Sequence, residues 1–283
     1  MGTADPNLAV QAAKMVVNDV SAIDVNSGCP KHFSIHSGMG AALLKTPDKL
    51  VSILTSLVDQ VGDPFNIPIS VKIRLLETEE KTLSLVERLV TTGIKCLTIH
   101  CRTTPMRPRE PSIRTSLKKI SDTCHKAGVM CLLNGDIEGF KDLDHVIEKY
   151  GVDGAMIARA AEANPSCFNS KGQIPWNEII REYFEYCKKF DNHVVNTKFC
   201  LARMIPGKSQ LYQKVAQSKT MEQIDDALNN LTEDDMNKFI HIFKSPLTLL
   251  EEQVKQEELR AKNQMLKRSA EDIIEPSKRV RFI

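Results

Sequence analysis

Short apolar runs rich in β-branched residues alternate with amphipathic stretches over residues 1–169 of the chain. Between two of the runs, residues 82–90 place Leu85, Val86 and Leu89 on one helical face. This alternation predicts βα units around a parallel sheet. The candidate strands are residues 22–26, 69–73, 96–100, 129–133 and 154–158.

Polar or small residues follow every candidate strand at its carboxyl end. In a TIM barrel that end of the strands carries the active site. Helix capping would explain a single cluster, whereas five clusters in register favour one shared site. The clusters are Asn26-Ser27-Gly28-Cys29, Lys72 with Arg74, His100 with Arg102, Asn134-Gly135-Asp136, and Arg159.

The pattern becomes entirely helical after Pro165, which predicts a helical domain over residues 170–245. Helix starts are indicated by Thr220 with Gln223 and by Thr232 with Asp235, which have capping-box spacing. One helix is predicted by an apolar stripe, made of Trp176, Ile179, Ile180, Tyr183, Phe184, Cys187 and Phe190.

Residues 246–283 form a tail of dense mixed charge, which predicts a solvated helix that loses order by Ser269. Two basic clusters, Lys267-Arg268 and Lys278-Arg279-Val280-Arg281, resemble a bipartite nuclear import signal. A solvated terminus without a signal is the alternative interpretation.

The lengths of these parts bear on the fold class. Residues 1–169 accommodate five βα units, whereas a full barrel takes about 250 residues. We therefore expect an α/β fold of the TIM (β/α)8 type, here incomplete, with three units preceding residue 1. The predicted domains are a partial barrel at 1–169, a helical domain at 170–245 and the charged tail at 246–283.

Composition narrows the possible partners and compartments. The 38 basic and 36 acidic residues give a net charge of +2, so no overall field favours nucleic acid or membrane. The sequence shows neither a signal peptide nor a membrane-spanning apolar run. Without a CxxC pair, the eight cysteines are interpreted as reduced thiols in the cytosol or nucleus, and no metal site is expected.

The last two strand ends are candidates for binding a phosphate. Many barrels bind phosphate there through backbone N–H groups and a helix N-terminus. Gly135 permits close approach of the backbone, and Arg159 can donate two parallel hydrogen bonds. Asn-Gly is also a common turn dipeptide, but together the two segments favour a phosphorylated cofactor.

Three further side chains suggest redox or proton chemistry. Lys72 is suited to stabilise negative charge on a reduced flavin or a phosphate, and His100 to donate a hydrogen bond to the same group. A rim lysine and a core histidine are the alternatives. Cys29 lies on a constrained turn, where a thiolate would act as a nucleophile and a neutral thiol as a proton donor.

Six motifs occur in order along the chain: Asn26 to Lys31, Ser37 to Leu44, Val71-Lys72-Ile73-Arg74, Ile99-His100-Cys101-Arg102, Asn134-Gly135-Asp136-Ile137 and Ala158-Arg159-Ala160-Ala161. In this combination they resemble the tRNA-dihydrouridine synthases. The similarity extends over residues 1 to about 169, and residues 28–44 and 191–198 look most like the eukaryotic class that modifies uridine 20 of the D-loop.

The resemblance implies an FMN-dependent enzyme, reduced by NADPH, that adds hydrogen across the uracil C5=C6 bond. Flavin N5 would deliver hydride to C6, and Cys29 would protonate C5. Lys72 and His100 would contact the flavin. The residues implied around its phosphate are Asn134, Gly135, Asp136, Ala158 and Arg159, and those implied at the substrate are Asn26, Arg74 and Arg102.

Transfer RNA is the partner that the resemblance implies, with the target base leaving its stack. Candidate contacts are Arg102, Arg107, Arg109 and Arg114 in one loop, and Lys188, Lys189, Lys198 and Arg203 in the helical domain. The alternatives are another FMN barrel acting on a free pyrimidine, and a non-catalytic tRNA-binding fragment.

The chain departs from the family pattern at three places. Cys101 stands where the pattern has Gly, and Ala158-Arg159-Ala160 replaces the more usual Gly-Arg-Gly. Residues 2–6 match the family just after its third strand. We therefore expect an N-terminally shortened form.

Overall fold

A computed structural model describes residues 1–207, 209–231 and 243–274, with side chains as far as residue 262. The strands are β1 (Ile23–Asn26), β2 (Ile69–Leu75), β3 (Cys96–Thr103), β4 (Met130–Asn134) and β5 (Gly154–Met156). The helices of the first part are α1 (Pro6–Val16), α2 (His32–His36), α3 (Pro47–Leu57), α4 (Asp63–Phe65), α5 (Glu79–Val90), α6 (Leu117–Lys126), α7 (Leu143–Tyr150) and α8 (Arg159–Ala163). They are followed by α9 (Trp176–Lys189), α10 (Val194–Met204), α11 (Gln210–Gln217), α12 (Met221–Asn229) and α13 (Pro246–Ile274).

The five strands form one parallel sheet in the order β1-β2-β3-β4-β5. Each predicted strand is present, which confirms the α/β prediction. Because all strands run the same way, their carboxyl ends meet at one edge of the sheet. Asn26 of β1 pairs in register with Lys72 of β2, and His100 of β3 pairs with Asn134 of β4.

The two faces of the sheet differ because side chains alternate along each strand. On β2, Val71 and Ile73 are buried under helices, whereas Lys72 and Arg74 point to the opposite face and are half-buried. We call this second face the inner face. Strand β3 continues it with His100. The core therefore lies on the helix-covered side, and polar side chains collect on the inner face.

Helix α5 shows how local sequence fixes the helical layer. The Thr78 hydroxyl caps its first turn by accepting a hydrogen bond from the Lys81 N–H at 3.3 Å. Glu79 and Glu80 in the first turn and Arg88 in the last complement the helix dipole. Its apolar face, with Leu85, Val86 and Leu89, is buried in the hydrophobic core, as the sequence predicts.

Helices α9 to α12 surround a second hydrophobic cluster, which includes Ile180, Phe184 and Leu201. The predicted stripe on α9 is buried apart from the partly buried Tyr183 and from its end, where Phe190 is 69% exposed and stacks on Tyr186. The inclusion of Phe190 in that stripe was wrong, because α9 ends at Lys189 and the ring of Phe190, the C-cap residue, is exposed.

One of the two predicted helix caps and the first part of the charged tail lie within the described residues. The Thr220 hydroxyl accepts from the Gln223 N–H at 3.4 Å, whereas Thr232 and Asp235 lie outside the described residues. Helix α13 runs to Ile274, so helical backbone continues past Ser269. The basic cluster from Lys278 to Arg281 lies outside the described residues.

None of the described helices combines the length and the apolarity that crossing a bilayer requires.

Candidate active site

A pocket with a volume of about 210 Å³ opens at the carboxyl edge of the sheet. Three of its charged lining residues are arginines and one is an aspartate, so the lining carries a surplus of positive charge. Such a surplus favours an anionic ligand. We call this cavity the arginine pocket. The lining residues are Arg74, His100, Arg102, Met106, Pro108, Asn134, Gly135, Asp136, Ile137, Met156, Ala158, Arg159 and Phe243.

Asp136 is the central acceptor of this pocket. Its Oδ1 accepts from Arg102 Nη2 at 2.5 Å and from Arg159 Nη2 at 2.6 Å, and its Oδ2 accepts from the Ser112 N–H at 2.7 Å. Burial raises the pKa of the Asp136 carboxyl, but the hydrogen bonds from Arg102 and Ser112 outweigh it and hold this pKa below its usual value. The ionised carboxylate therefore fixes both guanidinium groups.

The turn at Gly135 is held by hydrogen bonds from Arg114, which lies on the loop that follows β3. Arg114 Nη2 donates to the Gly135 carbonyl at 2.8 Å and to the Asp136 carbonyl at 2.9 Å. Gly135 has φ of 119°, and a Cβ there would lie 3.4 Å from both His100 Cδ2 and Arg102 Nη1. A side chain would thus fill space beside the pocket, so this position requires glycine.

Cys29 lies on a loop that hydrogen bonds hold against β2. Asn26 Oδ1 accepts from the backbone N–H groups of Gly28 and Cys29, each at 3.1 Å. Arg74 Nε donates to the Gly28 carbonyl at 2.7 Å, and Arg74 also lines the pocket. The half-buried Cys29 thiol is therefore tied to the rim of the arginine pocket through one side chain.

Gly40 supports the Cys29 loop from below. Its φ is 59°, and a Cβ there would lie 2.6 Å from the Cys29 carbonyl oxygen and 3.0 Å from Cys29 Cβ, with Ser34 Oγ also in contact. The Ala41 N–H donates to the same Cys29 carbonyl at 3.0 Å. The backbone at Cys29 consequently has little freedom to move.

Burial and neighbouring positive charge shift the pKa values of the two basic side chains on the inner face. Burial, followed by repulsion from Arg74, lowers the pKa of Lys72 to about 8. Burial, followed by repulsion from Arg74, Lys72 and Arg102, lowers the pKa of His100 to about 3. At neutral pH Lys72 is thus a cation and His100 a neutral ring.

The tautomer of His100 follows from its neighbour. Arg102 Nη1 lies 3.4 Å from His100 Nε2, and a guanidinium only donates. Nε2 is therefore the acceptor and Nδ1 carries the ring proton, which makes Nδ1 the available donor.

The structure brings together most of the residues that the sequence singled out. Eight of the eleven line the pocket: Arg74, His100, Arg102, Asn134, Gly135, Asp136, Ala158 and Arg159. Lys72 lies on the inner face of β2 outside this pocket, Asn26 is the last residue of β1, and Cys29 lies on the loop that follows β1.

The four arginines predicted to contact tRNA at the end of β3 and in the loop after it differ in their exposure. Arg107 and Arg109 are exposed. Arg102 is 3% exposed, and Arg114 is only partly accessible. Their inclusion in an RNA-facing set was wrong, because both guanidinium groups bind the Asp136 turn. A run of arginines in the sequence does not distinguish inward from outward side chains.

The helical part shows a similar division among its four candidate contacts. Lys198 Nζ donates to the carbonyls of Ala216 and Ser218, at 3.0 and 2.6 Å, and so caps the end of α11. Lys188 pairs with Glu185 at 2.7 Å, and Arg203 pairs with Glu162 at 3.6 Å. The exposed pairs are weak and leave these cations accessible.

Several residues that line the pocket were not among the predicted site residues. Met156 lies in β5, where successive side chains alternate between the two faces of the sheet. This alternation places Met156 on the inner face, so the sequence did contain a signal for its position. Phe243 gave no local signal, because it lies 84 positions beyond Arg159 and comes to the pocket only through the fold.

Five of the cysteines other than Cys29 are buried, whereas Cys96 and Cys200 are half-buried. Cys101, Cys124 and Cys131 are buried, and burial raises the pKa of Cys101 to about 12. Within the described residues, His, Cys, Asp and Glu side chains form no group suited to hold a metal ion.

Comparison with known proteins places the chain in a family. The family model of dihydrouridine synthases (Dus) matches residues 1–276. Over 226 residues the chain is 50% identical to a tRNA-dihydrouridine(20) synthase [NAD(P)+] of Schizosaccharomyces pombe, covering 79% of this chain and 47% of that protein. Over 242 residues it is 48% identical to a protein of the same name from Saccharomyces cerevisiae, covering 83% and 63%.

A human protein named tRNA-dihydrouridine(20a/20b) synthase [NAD(P)+]-like is 31% identical over 197 residues, covering 68% of this chain and 61% of that protein. The chain thus spans less than two thirds of the length of each of these relatives. Its parallel sheet, its helices and the family match identify an α/β protein of a TIM-barrel family. The chain is a member of the dihydrouridine synthase (Dus) family.

Proposed function

We propose that this chain carries the site that reduces the uracil C5=C6 bond of a tRNA uridine, uridine 20, to 5,6-dihydrouridine. FMN is the bound cofactor and NADPH the reductant. The observation that carries the proposal is the position of Arg74, which lines the arginine pocket and also bonds the loop of Cys29. An anion site and a thiol thus lie on either side of one guanidinium group.

The phosphate end of FMN fits the arginine pocket. Its lining has three guanidinium groups against one carboxylate, and Gly135 leaves open the space that a Cβ would fill. Arg159 and the amide of Asn134 are donors at this edge. Asp136 acts indirectly, because its carboxylate holds Arg102 and Arg159 in place.

The flavin ring is assigned to the inner face, beside Lys72 and His100. When bound and reduced, FMN supplies the hydride that reaches C6 of the uracil. The Lys72 ammonium stabilises negative charge on the ring. His100 is neutral, and its Nδ1–H donates a hydrogen bond to the cofactor.

Cys29 donates the proton that reaches C5 of the uracil. The loop geometry suits this role, because Asn26, Arg74 and Gly40 fix the backbone of Cys29 from three sides. A fixed thiol at the mouth of a pocket is a positioned general acid. Asn26 Oδ1 already bonds this loop, so its contribution to the uracil is to hold the proton donor in place.

Arg102 is assigned to the support of the site. Its Nε donates to the Glu110 carbonyl at 2.7 Å and its Nη2 to Asp136, so its bonds are to protein groups. Arg74 is the less buried of the two and remains the arginine nearer to the substrate side.

A tRNA surface follows from the charges that remain exposed. Arg107 and Arg109 border the pocket, and Lys189 lies on α9 of the predicted helical domain. Phosphate contacts of this kind position an RNA without reading its sequence. Family membership favours tRNA over a free pyrimidine, the substrate of the alternative flavin barrels.

The test is a comparison of the two half-reactions in a Cys29→Ala variant. Flavin reduction by NADPH should stay within about twofold of the unmodified chain, whereas dihydrouridine formation in tRNA should fall by at least about 100-fold. Cys200→Ala is the matched control, because Cys200 is also half-buried but lies in α10.

Three results would contradict the proposal. Equal loss of both half-reactions would remove the proton-donor role from Cys29. Activity on free uracil without activity on tRNA would favour the free-pyrimidine alternative. Retained tRNA binding without any flavin binding would favour the non-catalytic fragment.

A further inference from the structure

The chain returns to the arginine pocket at residues 243–245, which we call the closing segment. Phe243 lines the pocket, and its ring centroid lies 5.7 Å from Arg159 Cζ. Arg159 also donates from Nη1 to the Pro108 carbonyl at 2.6 Å and from Nη2 to Asp136. The ring therefore covers a guanidinium group whose orientation is already fixed.

Glu138 attaches the closing segment to the sheet. Its Oε1 accepts from the Ser245 N–H at 2.7 Å, in a contact where the Glu138 side chain is 7% exposed and Ser245 is fully buried. Its Oε2 pairs with Lys141 Nζ at 3.3 Å. Because Glu138 comes two residues after Asp136, this bond joins the closing segment to the pocket turn itself.

A further hydrogen bond holds each of the two residues that form this attachment. The Asp142 carboxylate accepts from the Glu138 N–H at 2.7 Å and so fixes the loop that carries Glu138. On the other side, Ser245 begins α13 by accepting from the Thr248 N–H through Oγ at 3.2 Å. Phe243 lies two residues from this anchor, so its position is set by the bond between Glu138 and Ser245.

An aromatic ring beside a phosphate-binding arginine has two physical effects. It attracts the guanidinium group through its π face, and it excludes water from one side of that group. Attraction between arginine and phosphate strengthens where water is excluded. A ring in this position also obstructs release of a ligand held at its phosphate end.

We propose that Phe243 is a positioning residue that closes the phosphate end of the cofactor pocket over Arg159, and that Glu138 latches it there through Ser245. The ligand class is a flavin with a terminal phosphate monoester. This inference rests on the proposed function, since it assumes that the pocket holds the phosphate of FMN.

The test compares FMN with riboflavin, which lacks the phosphate. Dissociation constants and dissociation rates are measured from flavin fluorescence on the 283-residue chain. Phe243→Ala and Glu138→Ala should each weaken FMN binding about tenfold, with faster dissociation, and leave riboflavin binding unchanged. Lys244→Ala is the matched control, since Lys244 lies between Phe243 and Ser245 and forms an exposed ion pair with Glu252.

The double variant tests the latch. If Glu138 acts through Phe243, Phe243→Ala combined with Glu138→Ala loses no more affinity for FMN than Phe243→Ala alone. Additive losses would overturn the latch. Phe243→Leu keeps the apolar volume and removes the ring, so it gives a folded variant in which the preference for FMN must also fall.

Two other outcomes separate this inference from the proposed function. Equal loss of FMN and riboflavin binding, or no loss of either, overturns the role of Phe243 while the FMN assignment stands. An unmodified chain that shows no preference for FMN over riboflavin overturns the assignment of the phosphate to this pocket, and the role of Phe243 with it.

Discussion

Arg102 and Asp136 form an ion pair in which Nη2 lies 2.5 Å from Oδ1, with the two side chains only 3% and 0% exposed. Arg159 reaches the same oxygen from the other side at 2.6 Å. One buried carboxylate thus balances part of the charge of two guanidinium groups, a buried one on Arg102 and a partly exposed one on Arg159. The stability of the site therefore depends on this aspartate, and so does its affinity for the phosphate that we propose it binds.

Asp136→Asn should destabilise the fold by about 3–5 kcal/mol, because it leaves the buried Arg102 charge without its partner. Urea unfolding measures the loss. Asp48→Asn is the control, since Asp48 pairs with Arg88 in an exposed contact, where a loss below about 1 kcal/mol is expected. Similar losses in the two variants would mean that the buried pair adds nothing beyond a surface pair.

Gly40→Ala should disturb the Cys29 loop. The left-handed backbone alone costs about 1–2 kcal/mol, and the overlap with the Cys29 backbone adds about 1–3 kcal/mol. Gly128→Ala provides a matched control, because Gly128 has a similar φ of 72° and no atom within 4 Å of the added Cβ. Dihydrouridine formation should fall in the Gly40 variant and persist in the Gly128 variant, and an equal effect would exclude a specific role of Gly40 under Cys29.

The affinity for FMN should decrease as pH rises through about 8, where Lys72 loses its proton. A neutral amine no longer attracts the anionic cofactor. Lys72→Arg keeps the charge throughout this range, so the decrease between pH 7.5 and 9.5 should disappear in the variant. Binding titrations at constant ionic strength measure the effect, and an unchanged slope in the variant would assign the titration to another group.

The free energy of unfolding should fall as pH decreases from 6.5 toward 3, the interval between the ordinary and the shifted pKa of His100. In this interval the unfolded chain binds a proton at His100 that the folded chain does not, so acid favours unfolding. His100→Gln removes that proton site and should make the pH dependence shallower. Urea unfolding at several pH values tests this, and parallel curves for the two proteins would contradict the low pKa.

The sequence predicted the strands well, because short runs rich in apolar and β-branched residues alternate along the chain with amphipathic helical stretches. Their ends were less accurate. Strand β3 continues to Thr103, and β5 stops at Met156, since the chain then enters α8. Phe190 was misplaced for a related reason, because helical spacing cannot show where a helix ends.

The candidate site was predictable where it follows from strand ends. Arg74, His100 and Asn134 were found in this way, since the carboxyl ends of parallel strands share an edge. The contact between Glu138 and Ser245 was not predictable, because 107 positions separate the two residues. The inward direction of Arg114 depends likewise on the path of its loop, which no local pattern specifies.

The alternation along β2 and β3 divides the constraints on this protein between two sets of positions. We expect substitutions at Val71 or Ile99 to act on folding, and substitutions at Lys72 or His100 to act on the proposed cofactor site at the less buried face of the same strands. Neighbouring positions in one strand are therefore expected to be under different selective constraints. Mutational scanning of these strands should show tolerance that changes with a period of two, with stability and catalysis failing at alternate positions.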